Sequence, residues 1–124
     1  MNRYLRLLVI PALVITLAGC YMDSVPVKSA TVTQWQSGKL VKSWELSPEQ
    51  VSKLTKWLLD HRWGWHPVIA TYAPNKLVSI THTDGTTSGA NVMAKVIVIN
   101  QSQRSLSEEE SHVIHVLLGE GAGG

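Results

Sequence analysis

The sequence predicts an α+β domain in ββα-βββα-like order: a mostly antiparallel sheet of four to five strands with two helices packed on one face. Three observations carry this. Ser47…Gln50 and Ser107…Glu110 are capping boxes, and each opens an apolar stripe of helical spacing. Ser37-Gly38 and Asp84-Gly85 are turn signals between segments that fit strands. Val96-Ile97-Val98-Ile99 is a continuous β-branched run.

Residues 29–46 read as a β-hairpin about Ser37-Gly38. Pairing across that turn sets Trp35 opposite Leu40, Thr33 opposite Lys42 and Thr31 opposite Trp44. Strand side chains alternate, so Trp35, Leu40, Trp44 and Leu46 are assigned to one core-facing side. Residues 47–62 read as a helix with Ser47 as N-cap and Pro48 at its first position. Val51, Leu54, Trp57, Leu58 and His61 form its inner stripe; Lys53, Lys56 and Asp60 lie outside, Glu49 is placed to pair with Lys53, and Gly64 is the stop. Trp63-Gly64-Trp65-His66-Pro67 reads as a compact aromatic loop. Strands are expected over 68–72, 77–83 and 86–92, then within 93–100, the last covered on both faces or capped by the helices. Residues 107–118 form the second helix, with Glu110, Val113, Ile114, Leu117 and Leu118 inward and Gly119 as its stop. Leu46-Ser47-Pro48-Glu49-Gln50 echoes Leu106-Ser107-Glu108-Glu109-Glu110, which two similar helix starts explain without a duplication.

The first residues have a different character. Arg3 and Arg6 precede an apolar run of 11 residues, Leu7 to Leu17, interrupted by Pro11. A membrane-crossing helix needs about 20 apolar residues, so this run fits the core of a secretory signal. It ends in Leu17-Ala18-Gly19-Cys20, which resembles the lipobox of bacterial lipoprotein precursors. The resemblance implies a signal peptide over residues 1–19, cleavage before Cys20, and acyl chains on that cysteine. Two or three such chains would anchor the protein almost permanently. It also implies outer rather than inner membrane, facing the periplasm: Tyr21 stands where Asp retains lipoproteins on the inner membrane of enteric bacteria. Residues 20–28 then read as the lipidated cysteine and a tether, 29–119 as one domain, and 120–124 as a flexible tail.

Removing residues 1–19 from the 124 leaves 105, enough for one small domain. Beyond Arg3 and Arg6 there are nine Lys or Arg and nine Asp or Glu, so the formal charge of +2 belongs to the signal. A near-neutral domain has no nucleic-acid footprint. Cys20 is the only cysteine, which excludes disulfides and thiolate chemistry once it is acylated. Aromatic bulk comes from five Trp and three Tyr, with no Phe.

Candidate chemistry is sparse, and no cofactor-binding motif is present. His112 and His115 stand three apart on a helix, with only Glu108 or Glu109 near to complete a metal site; the competing reading is an exposed flank where Glu108 pairs with His112. No metal site is assigned. His61 and His66 lack zincin spacing, and His61 fits a helix-end histidine bonded to the last carbonyls. His82 and Asp84 stand at a hairpin tip with Ser79 and Ser88 in neighbouring strands, but no nucleophile elbow surrounds either serine. No catalytic residue is assigned, and the domain is read as a binding module rather than an enzyme.

The most promising surface is Arg62, Trp63, Trp65 and His66 with Tyr72, since Trp and Arg are enriched where proteins grip partners. Aromatic platforms also bind glycans, which no further feature supports here. The competing reading folds Trp63 and Trp65 back into a Phe-free core. The expected function is a membrane-anchored, periplasm-facing lipoprotein that binds a protein partner in the envelope. An immunity or inhibitor protein against a periplasmic toxin or hydrolase is the alternative, and a histidine-based metal binder or enzyme ranks last.

Overall fold

The computed structural model describes residues 20–121; the expected signal peptide and the last three residues of the tail lie outside the described residues. In chain order the elements are β1 (Cys20–Tyr21), β2 (Val27–Gln36), β3 (Lys39–Glu45), α1 (Pro48–Asp60), β4 (Trp63–Pro67), β5 (Lys76–His82), β6 (Thr87–Val92), β7 (Val96–Ile99), β8 (Ser102–Ser105) and α2 (Glu108–Leu117). Strands β2 to β8 make one antiparallel sheet of seven strands, and the two-residue β1 extends it beyond β4, in the order β1-β4-β8-β7-β6-β5-β2-β3. The α+β architecture is therefore as expected, with more strands than the sequence predicted. No helix among the described residues is long and apolar enough to cross a membrane.

Both capping boxes form. Ser47 Oγ accepts the Gln50 amide at 3.2 Å and Gln50 Oε1 accepts the Ser47 amide at 2.9 Å. Ser107 and Glu110 repeat the arrangement at 3.1 and 2.9 Å. Leu54 and Leu58 of α1 and Ile114 and Leu118, which caps α2, meet Val78, Ile80, Ala90, Val92, Ile97 and Ile99 of the sheet, so both helices cover one face. Glu49 pairs with Lys53 at 3.4 Å on the wet side of α1. Helix α1 ends at Asp60 with His61 as its cap, before Gly64 is reached. Val113, expected inward, is exposed on α2.

The first hairpin departs from its expected register. Trp35 does face Leu40, but a bulge between Gln34 and Trp35 shifts the rest by one, pairing Thr33 with Ser43 and Thr31 with Glu45. A one-residue shift exchanges the two faces of a strand. Ala30 and Val32 therefore enter the core, Leu40 is left exposed, and Trp35 is half-buried. Trp44 packs against the core with its Nε1 donating to Leu118 O at 2.9 Å, and Leu46 is buried as expected.

Two further corrections concern the middle of the chain. The aromatic segment expected as a loop is strand β4, paired with β8 through His66–Gln103 and Pro67–Ser102, while the expected strand at 68–72 is irregular. Strand β8, Ser102-Gln103-Arg104-Ser105, was not anticipated; its polar residues form a strand because β7 and β4 supply partners on both edges. Asn100, at φ 54°, makes the turn that brings it back. Ile97 and Ile99 of β7 point into the core under the helices, while Val98 is half-buried and lines an open pocket with Val68, Ala70 and Tyr72 on the opposite face.

The segment expected as a tether is laid against the domain. The Met22 amide donates to Arg62 O at 2.8 Å and the Thr83 amide to Pro26 O at 3.0 Å. The beginning of the expected tail is also held, by an ion pair between Lys42 and Glu120.

Candidate functional site

The two helices are antiparallel, with the last residues of the capping boxes at the two ends of their seam. Gln50, 1% exposed, donates from Nε2 to Leu117 O at 3.0 Å and to Gly119 O at 2.6 Å. At the other end Glu110 Oε2 lies 3.3 Å from His61 Nε2, and His61 Nδ1 lies 2.6 Å from Trp57 O. A carbonyl only accepts, so Nδ1 carries a proton. This is the helix-end role expected for His61. Arg104 completes the junction: Nη2 donates to Glu110 Oε2 at 3.0 Å and Nε to Trp63 O at 3.0 Å. The Arg104 hydrogen bond, opposed by burial and assisted by the Ser107 amide, holds the Glu110 carboxyl down to about 2.

Between these ends runs a groove of about 550 Å³. Trp57, Val113, Val116 and Leu117 supply its apolar wall, His61 and His112 flank it, and Lys53, Lys56 and Asp60 stand at its rim. The Trp57 ring stacks on His61 with centroids 4.0 Å apart. Trp57 Nε1 is buried and has no hydrogen-bond partner. An orphaned buried donor costs on the order of 1–3 kcal/mol, and it belongs to a residue that lines the groove. Apolar walls with a few polar groups are the composition of binding clefts.

The aromatic surface expected from sequence divides in two. Gly64 adopts φ +91° and is skipped in the pairing of β1 with β4, where Cys20 opposes Trp65 and Tyr21 opposes Trp63. Residues two apart in a regular strand share a face; an extra residue at a bulge breaks that alternation. Trp63 is accordingly 54% exposed and Trp65 1%. Trp65 donates from Nε1 to His61 O at 2.6 Å and is core, so it offers nothing to a partner. Arg62 and Trp63 join Tyr21, a residue not expected in this surface: Arg62 Nη1 donates to Tyr21 Oη at 2.7 Å, and the Tyr21 and Trp63 rings meet edge-on at 4.9 Å. His66 is exposed further along β4. Tyr72 donates to Oε1 of Gln103, the residue that pairs with His66, at 3.1 Å.

His82 and His115 are in structural use. His115 Nε2 lies 3.0 Å from Met93 O, and His112 lines the groove. No group of three His, Cys, Asp or Glu converges among the described residues. His82 Nε2 is 2.7 Å from Ser88 Oγ, a nucleophile–base distance, and Nδ1 is 2.9 Å from Val25 O. Asp84 is no third member, because its Oδ1 accepts from the Thr86 hydroxyl and amide, which hold its carboxyl below the usual range. The Gly89 amide beside Ser88 donates to Asn100 Oδ1 at 3.1 Å and is not free to meet an oxyanion. The pair therefore reads as a polar clasp that fastens Val25 to the sheet.

No protein-family model, curated protein or solved structure matches the chain.

Proposed function

We propose that this protein is a lipoprotein, anchored through acylated Cys20 to the outer membrane and facing the periplasm, whose domain binds an envelope protein in the groove between α1 and α2. The single observation that carries the binding role is that groove: about 550 Å³, walled by Trp57, Val113, Val116 and Leu117. Val113 and Val116 are exposed valines on the surface of α2, and burial against a partner would remove that apolar area from water at about 25 cal/mol per Å². The anchor is supported by Leu17-Ala18-Gly19-Cys20 behind a short apolar run. The groove moves the proposed protein contact away from Arg62 and Trp63. It supports a binding module rather than an enzyme, since the closest approach to a catalytic pair, His82 and Ser88, is engaged in holding Val25.

Val116→Asp places a charge in the groove without touching the core. The protein carrying it, purified from detergent-solubilised envelope, is expected to lose the partner that the unsubstituted protein retains, with its unfolding midpoint unchanged. Equal retention by both proteins contradicts the reading.

A further inference from the structure

The path of the chain at Cys20 leaves no room for a spacer. Cys20 and Tyr21 already pair with β4, and the Met22 amide is bonded to Arg62 O. Consecutive Cα atoms stand about 3.8 Å apart, so an acyl group on Cys20 sits one residue from a side chain fixed in the fold. That side chain is Tyr21, held by Arg62 Nη1 at 2.7 Å and by the edge of Trp63 at 4.9 Å. The Arg62 guanidinium carbon stands 5.2 Å from the centre of the Tyr21 ring, and its Nε donates to Leu59 O at 3.1 Å. The three side chains form a braced cluster in which the Trp63 and Tyr21 rings remain largely exposed. Because β1 runs antiparallel to β4, its beginning lies toward the end of β4, and Ile69, 87% exposed, follows that end.

A tryptophan, a tyrosine and an arginine beside a lipid attachment point have a common physical preference. Tryptophan and tyrosine concentrate at the bilayer interface, where an amphipathic ring meets both hydrocarbon and headgroup. Arginine pairs with phosphate through a fork of donors. We propose that the Tyr21–Arg62–Trp63 edge is a phospholipid-docking surface that seats the domain directly on the bilayer holding its anchor, an inference that rests on the reading of Cys20 as the lipidated residue. The domain is then held against the membrane in one orientation rather than swinging on a tether. A second anchoring element of this kind adds to the lipid anchor without a second acylated residue.

The test uses the full lipidated protein, with the N-terminal peptide weighed for its acyl groups, reconstituted in vesicles of phosphatidylethanolamine and phosphatidylglycerol with part of the lipid brominated. Bromine quenches tryptophan on contact, and Trp63→Phe removes the one indole assigned to the interface. The unsubstituted protein is expected to be quenched, and Trp63→Phe to lose most of that quenching. Arg62→Glu keeps all five tryptophans and is also expected to reduce it, which guards against a Trp63 variant that fails to fold. Acylated protein whose quenching is unchanged in both variants overturns the docking surface and leaves the anchor standing. An N-terminal peptide without acyl groups overturns both.

Discussion

Gln50 donates to the carbonyl of Leu117 at 3.0 Å, so the residue that closes the cap of α1 also closes the end of α2. Glu110 stands at the other end, bonded to Arg104 of β8 and 3.3 Å from His61. The groove between the helices is thereby fixed at the Gln50 end, and preorganisation of this kind lowers the entropy lost on binding.

Gln50→Ala leaves the buried carbonyl of Leu117 and the half-buried carbonyl of Gly119 without their donor and removes half of a capping box. The expected loss is about 2–3 kcal/mol in urea unfolding. Glu49→Ala, which breaks only the exposed pair with Lys53, is expected to cost under about 0.5 kcal/mol. Similar losses in the two variants would show that the tie between the helices carries no particular weight.

Glu110 makes stability depend on acid. Its carboxyl is lowered from 4.5 to about 2 in the folded chain, chiefly by Arg104, so its contribution is complete above pH 4.5 and is lost as pH falls toward about 2. Unfolding free energies of the protein and of Glu110→Gln, measured by denaturant titration at a series of pH values, are expected to converge across that window. A constant gap down to pH 2 would contradict this.

Trp63 and Trp65 are expected to behave as opposites. Trp65→Ala empties a core position and should cost about 3–5 kcal/mol. Trp63→Ala gives up an exposed ring and its edge contact with Tyr21, about 1 kcal/mol. Thermal unfolding of the two variants distinguishes them, and equal losses would place both rings in the same environment.

The His82 clasp makes a local prediction. His82→Ala frees Val25 O and Ser88 Oγ, so amide hydrogen exchange over Met22–Val27 should accelerate more than exchange in α1. Unchanged exchange in that segment would mean that the pairing of β1 and the Pro26 carbonyl hold it unaided.

Both helices were legible because their signals are local: Ser47 with Gln50 and Ser107 with Glu110 announce a start whatever packs above them. The two hairpin turns were legible for the same reason. Strand β8 was not, since Ser102-Gln103-Arg104-Ser105 has no apolar alternation and owes its conformation to neighbours distant in sequence. Nor were the bulges at Gln34 and Gly64, each a displacement of a single residue that reverses which side chains are buried. The Gly64 bulge separates Trp63 from Trp65 and so decides how the expected site divides. The groove was hidden for a related reason. Trp57 and Leu117 look like ordinary core stripe residues until the spacing of the two helices leaves a channel beside them.

The central claim is that an anchored domain grips a protein through α1 and α2. Its most direct test is a photo-reactive residue at position 116 of the lipidated protein in intact cells, with the same residue at exposed Val41 on β3 as the comparison. One discrete adduct is expected from position 116, absent from position 41 and lost when Val113→Asp is added. No adduct at 116, or the same adduct from both positions, would contradict it.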